Sequence, residues 1–192
     1  MVLRRPVELA RVTGQLVLAS LSRKEYDHSR ANTLVEETMH REDQFIPELI
    51  VHDGPAALDF YKSVFGAEEV DRMLKPGSEK LMHGELTLDG HKFFVCDEFP
   101  ASEGGTCKSP ETLGGTGVRI TLLVNNADGV VERAVAAGAR VSMPVQDMFW
   151  GGRYGKIVDP FGHEWGINQQ VKEQSHEETK RAADEFFESK RK

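Results

Sequence analysis

One stretch of this chain occurs twice. Glu48–Leu58 aligns with Thr121–Val131, setting Leu49 on Leu122, Val51 on Val124 and Asp53 on Asn126. Further on, Asp89–Val95 matches Asp159–Ile167 once two extra residues are allowed in the second copy. Gly90 then meets Gly162, His91 meets His163 and Phe93 meets Trp165. The period is roughly 70–73 residues with about 50 residues per copy, so the chain is built on a duplicated unit.

Both copies predict the same order of elements. Ile46–Val51 is short and apolar, a strand. Asp53 then caps a helix with Pro55 in its first turn, where a missing N–H costs nothing. Ala57, Phe60, Tyr61 and Val64 form its apolar stripe and Gly66 ends it. Strands follow near Glu69–Leu74, Lys80–Leu88 and Lys92–Asp97, the last two joined by the tight-turn pair Asp89-Gly90. In the second copy Val118–Val124 is the strand and Asn126–Ala137 the helix, with Val131, Ala134 and Val135 inward and Gly138 at its end. Strands recur near Arg140–Met143, Arg153–Val158 and Glu164–Asn168. Each copy is βαβββ, an α+β arrangement.

The organisation is an N-terminal extension over 1–44, a body over 45–170 and a C-terminal segment over 171–192. The body divides into module one (45–98), a linker (99–117) and module two (118–170). The Gly-, Ser- and Pro-rich linker reads as a mobile loop. Ser175-x-x-Glu178 is a capping box ahead of a helical stripe of Ala182, Ala183, Phe186 and Phe187, a helix expected to pack on the body or on a second subunit. The extension lacks the apolar core of a secretory signal, and no run of the chain is apolar enough to span a membrane.

Charge sits in the body, which carries all of the net −7, while the two ends balance internally. That acidity argues against nucleic acid as a partner, because phosphates need a basic surface. Two cysteines, Cys96 and Cys107, make no disulfide scaffold and read as free thiols in the cytoplasm.

The paired βαβββ copies, with a strand–Asp/Asn–helix–Gly opening in each, resemble the vicinal oxygen chelate superfamily, which includes glyoxalase I, bleomycin-resistance proteins and extradiol dioxygenases. The phrases Asp147–Gly155, Asp159–Trp165 and Met82–Leu86 look like its PhnB-like subgroup. The resemblance covers residues 45–170. It implies two half-sheets curled into a U-shaped cup, helices outside and a small-molecule ligand inside, in a homodimer.

Strand alternation separates a helix-packed face from a cup face. Leu49/Val51, Ile120/Leu122/Val124, Met82/Leu86/Leu88 and Phe93/Val95 are expected against the helices. Ile46, Glu48, Ile50, His83, Glu85, Thr87, Phe94, Cys96, Arg119, Thr121, Leu123, Glu164, Gly166 and Asn168 are expected in the cup. The metal-dependent members draw four ligands from the first and last strands of the two copies. Those motifs fall here on Ile46, Phe94, Arg119 and Gly166, which offer no lone pair to a divalent ion. The expectation is therefore no metal and no cofactor.

His83 and Glu85 point the same way on one strand and are the candidate acid/base pair. With Glu48 and Glu164 they form the alternative, a divalent metal at a non-standard site. Arg119 suits an anionic ligand, or pairs with Glu85 or Glu164. Thr121 lines the cup, and Phe149, Trp150 and Tyr154, beside glycines, either close over a flat ligand or fill the core. His163 is read as structural and Cys96 as inert. Three functions follow. One is a binding protein of the bleomycin-resistance kind. The second is a lyase or isomerase using His83, Glu85, Glu48 or Glu164. The third is a scaffolding module acting through its C-terminal helix.

Overall fold

The computed structural model describes residues 44–189 and Arg191, so the predicted extension lies, Gln44 apart, outside the described residues. Module one runs β1 (Glu48–Val51), α1 (Gly54–Phe65), β2 (Glu68–Leu74), β3 (Leu81–Leu88) and β4 (His91–Asp97). A 3-10 turn (Ala101–Glu103) and a short helix, α2 (Pro110–Leu113), fill the connector. Module two repeats the pattern with β5 (Arg119–Leu123), α3 (Ala127–Ala136), β6 (Arg140–Asp147), β7 (Gly152–Val158) and β8 (Glu164–Gln170), and α4 (His176–Ser189) follows. Each module is a mixed four-stranded sheet, ordered β1-β4-β3-β2 and β5-β8-β7-β6, with β1 parallel to β4 and β5 parallel to β8. The α+β fold of two βαβββ modules and a C-terminal helix is the one the repeat predicts.

The caps explain the helix limits. Asp53 accepts from the Ala56 amide at 3.1 Å, and Gly66 ends α1 in the left-handed region (φ 76°). Asn126 does for α3 what Asp53 does for α1, accepting from the Gly129 amide at 3.0 Å. The capping box of α4 is formed in both directions, Ser175 N–H to Glu178 (2.8 Å) and Glu178 N–H to Ser175 Oγ (3.3 Å).

A single apolar core joins the modules. Leu58, Tyr61, Val64, Leu86 and Val95 of module one and Ala134, Ile157, Trp165 and Ile167 of module two are all buried in it. The Trp165 ring meets Phe65 at 4.7 Å and Tyr61 at 5.4 Å between centroids. At this junction the buried Asp159 carboxylate accepts four hydrogen bonds: Tyr61 Oη and Trp165 Nε1 at 2.8 Å, and the Phe161 and His163 amides at 2.9 Å. Burial, and then the neighbouring Asp159 charge, push the Tyr61 phenol well above its ordinary pKa. His163 reaches across to the Ile50 carbonyl at 3.0 Å, the structural place expected of it.

Three expectations need correction. Met82 does not pack with Leu86: it is 46% exposed and Leu81 is buried instead. Pairing steps from Met73–His83 to Leu74–Leu81, so Met82 is the extra residue of a bulge, and the alternation shifts by one there. Val135 is exposed, because the buried stripe of α3 is Ala127, Val130, Val131 and Ala134. The connector is not a loose loop but is pinned at Glu98. That carboxylate accepts from the Ser109 amide and hydroxyl (2.8 Å each), Thr112 Oγ1 (2.7 Å) and Lys108 Nζ (2.9 Å). The Ser109 amide, ahead of the side-chain donors, holds the Glu98 pKa down to about 2.

Candidate functional site

The sheet faces turned away from the helices carry the candidate residues. In module one, β1 and β4 pair Glu48 with Phe94 and Ile50 with Cys96, while β3 sets Glu85 opposite Phe94. His83 and Glu85 are both half-buried on this face, but no hydrogen bond or ion pair between them is formed among the described residues. The His83 ring lies edge-on to Phe94 at 4.7 Å. Glu85 pairs with Lys92 at 2.5 Å instead. Lys92 went unremarked in the sequence, although it shares its parity with Phe94 and Cys96. Burial, then the charges of Glu48 and Asp97, push the Cys96 thiol up to about 11, so it is a poor nucleophile at neutral pH.

Module two holds the denser arrangement. Arg119 stands opposite Glu164, Thr121 and Lys156 flank Gly166 on its two sides, and Tyr154 stands opposite Asn168. Arg119 donates from Nε to Glu164 at 2.6 Å, settling its partner between the two carboxylates the sequence offered. That bond, with a smaller part from Tyr154, raises the guanidinium pKa further above its ordinary value. Lys156 Nζ lies 4.0 Å from the same Glu164 oxygen. Lys156 was missed in the sequence; its signal was parity, two residues beyond Tyr154 on the same strand.

Gly166 is one of the four positions at which the resemblance places a metal ligand. A Cβ at this position would lie 2.7 Å from Tyr154 Oη and 2.8 Å from Thr121 Oγ1. The space a ligating side chain would need is filled by two hydroxyls. Isoleucine, phenylalanine and arginine at the three other positions supply no donor set for a divalent cation either, so the residues present do not fit the four-ligand centre. Among the described residues no group of three or more His, Cys, Asp or Glu side chains could hold a metal.

The aromatic residues of the β6–β7 turn form a chain of rings. Trp150 lies 5.8 Å from Tyr154 and 4.9 Å from Phe149. Phe149 is in turn covered by Phe186 and Phe187 of α4, at 5.4 and 5.9 Å. Trp150 and Tyr154 remain half-buried on the sheet face, whereas Phe149 is engaged by the C-terminal helix.

A cleft of about 750 Å³ lies off this face, where the start of β4 meets β5. Phe65, Phe93, Leu122 and Trp165 line it from the helix-packed side, and from the opposite face it is reached by Thr121, Leu123 and Lys92. A smaller cleft of about 420 Å³ opens beside Leu123, Asn168 and Gln170.

A family model described as the Glyoxalase/Bleomycin resistance protein/Dioxygenase superfamily matches residues 43–167. The chain belongs to that superfamily. An uncharacterized protein of Mycobacterium bovis is 40% identical over 136 residues, covering 71% of this chain and 89% of that one. The solved structure of an Arabidopsis thaliana gene product superposes with a TM-score of 0.53 at 32% identity, over 65% of this chain and 97% of the other. TioX from Micromonospora superposes with a TM-score of 0.52 at 27% identity, over 67% and 99%. Superfamily membership accounts for the duplicated βαβββ plan. Among the described residues no helix is long and apolar enough to cross a membrane.

Proposed function

We propose that this superfamily member binds a small molecule on the sheet faces described above, without the four-ligand metal centre and as a cytoplasmic homodimer. The observation that carries the reading is the pairing of a half-buried polar and aromatic face with the loss of every donor at the four metal positions. Binding needs only shape, rings and convergent polar groups, all of which this face has. The phrases around Trp150 and His163 support a PhnB-like member.

Exposed apolar side chains support the dimer. β1 and β5 are edge strands, as are β2 and β6, and on or beside β1 and β5 the side chains of Phe45, Val118 and Leu123 are 95%, 71% and 78% exposed. Unpaired edges flanked by apolar side chains call for a partner.

The test is thermal unfolding of the full chain against a library of small molecules, with elemental analysis and light scattering on the same sample. A ligand at a hundred times its Kd raises stability by about 2.7 kcal/mol. The expected results are stabilisation by at least one library member, no stoichiometric transition metal, and a mass twice the chain's 21.4 kDa. The double variant His83→Ala/Glu85→Ala is expected to alter binding while its unfolding midpoint stays close to that of the parent. Stoichiometric metal, or a shift of several kcal/mol with binding intact, would falsify the assignment.

A further inference from the structure

Hydrogen-bond donors crowd around Gly166. Thr121 Oγ1 and Tyr154 Oη stand over its Cα, Lys156 flanks it from β7, and Arg119 is held one pairing step away by Glu164. Counting charge, Arg119 and Lys156 outweigh Glu164 by one. This patch sits at the position where the superfamily resemblance places one of the four metal ligands, and here it offers hydrogen-bond donors and a net positive charge.

A second feature lies one step along β8. Asn168 Oδ1 is buried and takes no hydrogen bond from any described residue. A buried acceptor left unpaired is costly and marks a place where a donor is missing. Residues i and i+2 on a strand lie about 6.6 Å apart, so Asn168 is about that far from the donors over Gly166. The Trp150 indole flanks the same spot: a Cβ on Gly152 would be 2.7 Å from both Trp150 Nε1 and Asn168 Oδ1.

Resting on the small-molecule reading above, we infer that the module-two face recognises a flat, singly charged carboxylate carrying a hydrogen-bond donor at its far end. The carboxylate accepts from Lys156, Tyr154 and Thr121 over Gly166, the planar body lies along the Trp150–Tyr154 rings, and the distal donor meets Asn168 Oδ1. A carboxylate on a six-membered ring with a hydroxyl opposite it has the required span. Glu164 acts as an attenuator, because its negative charge stands beside Lys156 and neutralises Arg119, opposing a second carboxylate there.

The experiment titrates the full-length protein with benzoate, 4-hydroxybenzoate and benzamide and follows the Trp150 indole N–H resonance, assigned with Trp150→Phe. Charged hydrogen bonds set the expected scale of about ten- to a hundredfold. Benzoate is expected to bind tighter than benzamide by at least the lower figure, and 4-hydroxybenzoate tighter than benzoate. Lys156→Gln is expected to erase the acid-over-amide preference, Asn168→Ala the gain from the hydroxyl, and Glu164→Gln to tighten both acids. Equal binding of acid and amide, an acid preference surviving Lys156→Gln, or inorganic sulfate matching benzoate would overturn the inference. If neutral library members stabilise the protein while these acids show no preference, the inference fails and the cup reading stands. If nothing stabilises it, both fail.

Discussion

Asp159→Asn is the sharpest test of how the two modules are held together. In the parent, one carboxylate oxygen accepts from Phe161 and His163 amides, and the other from Tyr61 Oη and Trp165 Nε1. Asparagine keeps one acceptor oxygen, which retains the two amides. Its NH2 then faces the indole N–H, donor against donor, in a site only 4% exposed. Leaving one buried donor unpaired costs about 1–3 kcal/mol, and exchanging charged for neutral acceptance at the remaining bonds costs about 1 kcal/mol more at each. The expected loss is about 3–5 kcal/mol, a large share of the ~5–15 kcal/mol a domain has in hand. Tyr61→Phe removes one donor and leaves three, so about 1–2 kcal/mol is expected. Urea unfolding followed by the fluorescence of buried Trp165 measures both, and the double variant should cost less than the sum, because the two changes share a bond. A loss under 1 kcal/mol for Asp159→Asn, with an unchanged urea dependence, would refute the view that this carboxylate ties the modules.

Other expectations concern the connector, the thiols and the C-terminal helix. The pKa of Glu98 is depressed from its ordinary 4.5 to about 2, so its hold on the connector is complete above pH 4.5 and is lost as pH falls through 2. The Ser109 amide resonance should titrate with a midpoint near pH 2 and cease to do so in Glu98→Gln; a midpoint near 4.5 would show that the contact is not made. With its pKa near 11, Cys96 is about one part in a thousand thiolate at pH 8, so iodoacetamide followed by mass spectrometry should label exposed Cys107 and spare Cys96. Removing residues 174–192 should leave cooperative unfolding intact, because no residue of α4 is buried. It should also redden Trp150 emission by uncovering Phe149; loss of the fold would contradict the peripheral place of α4.

Local chemistry decided much of this protein. The repeat, the Asp53 and Asn126 caps, the Asp89-Gly90 turn and the Ser175–Glu178 box each act within a few residues, where sequence and geometry are nearly the same thing. Alternation along the strands likewise placed Glu85, Arg119 and Thr121 on the faces where they stand. It failed at Met82, because one extra residue near the start of β3 puts Leu81 rather than Met82 on the buried face, and nothing in the letters marks that insertion.

What only the tertiary structure decided is pairing across distance. Arg119 had two carboxylates to choose from and took Glu164; Glu85 turned to Lys92; Glu98 gathered a connector whose glycines and prolines read as loose; Phe149 went to α4. Each choice depends on which side chains two sheets and a folded-back helix bring within about 3–6 Å. A linear chain fixes what every residue can donate or accept, and only packing determines who is there to receive it.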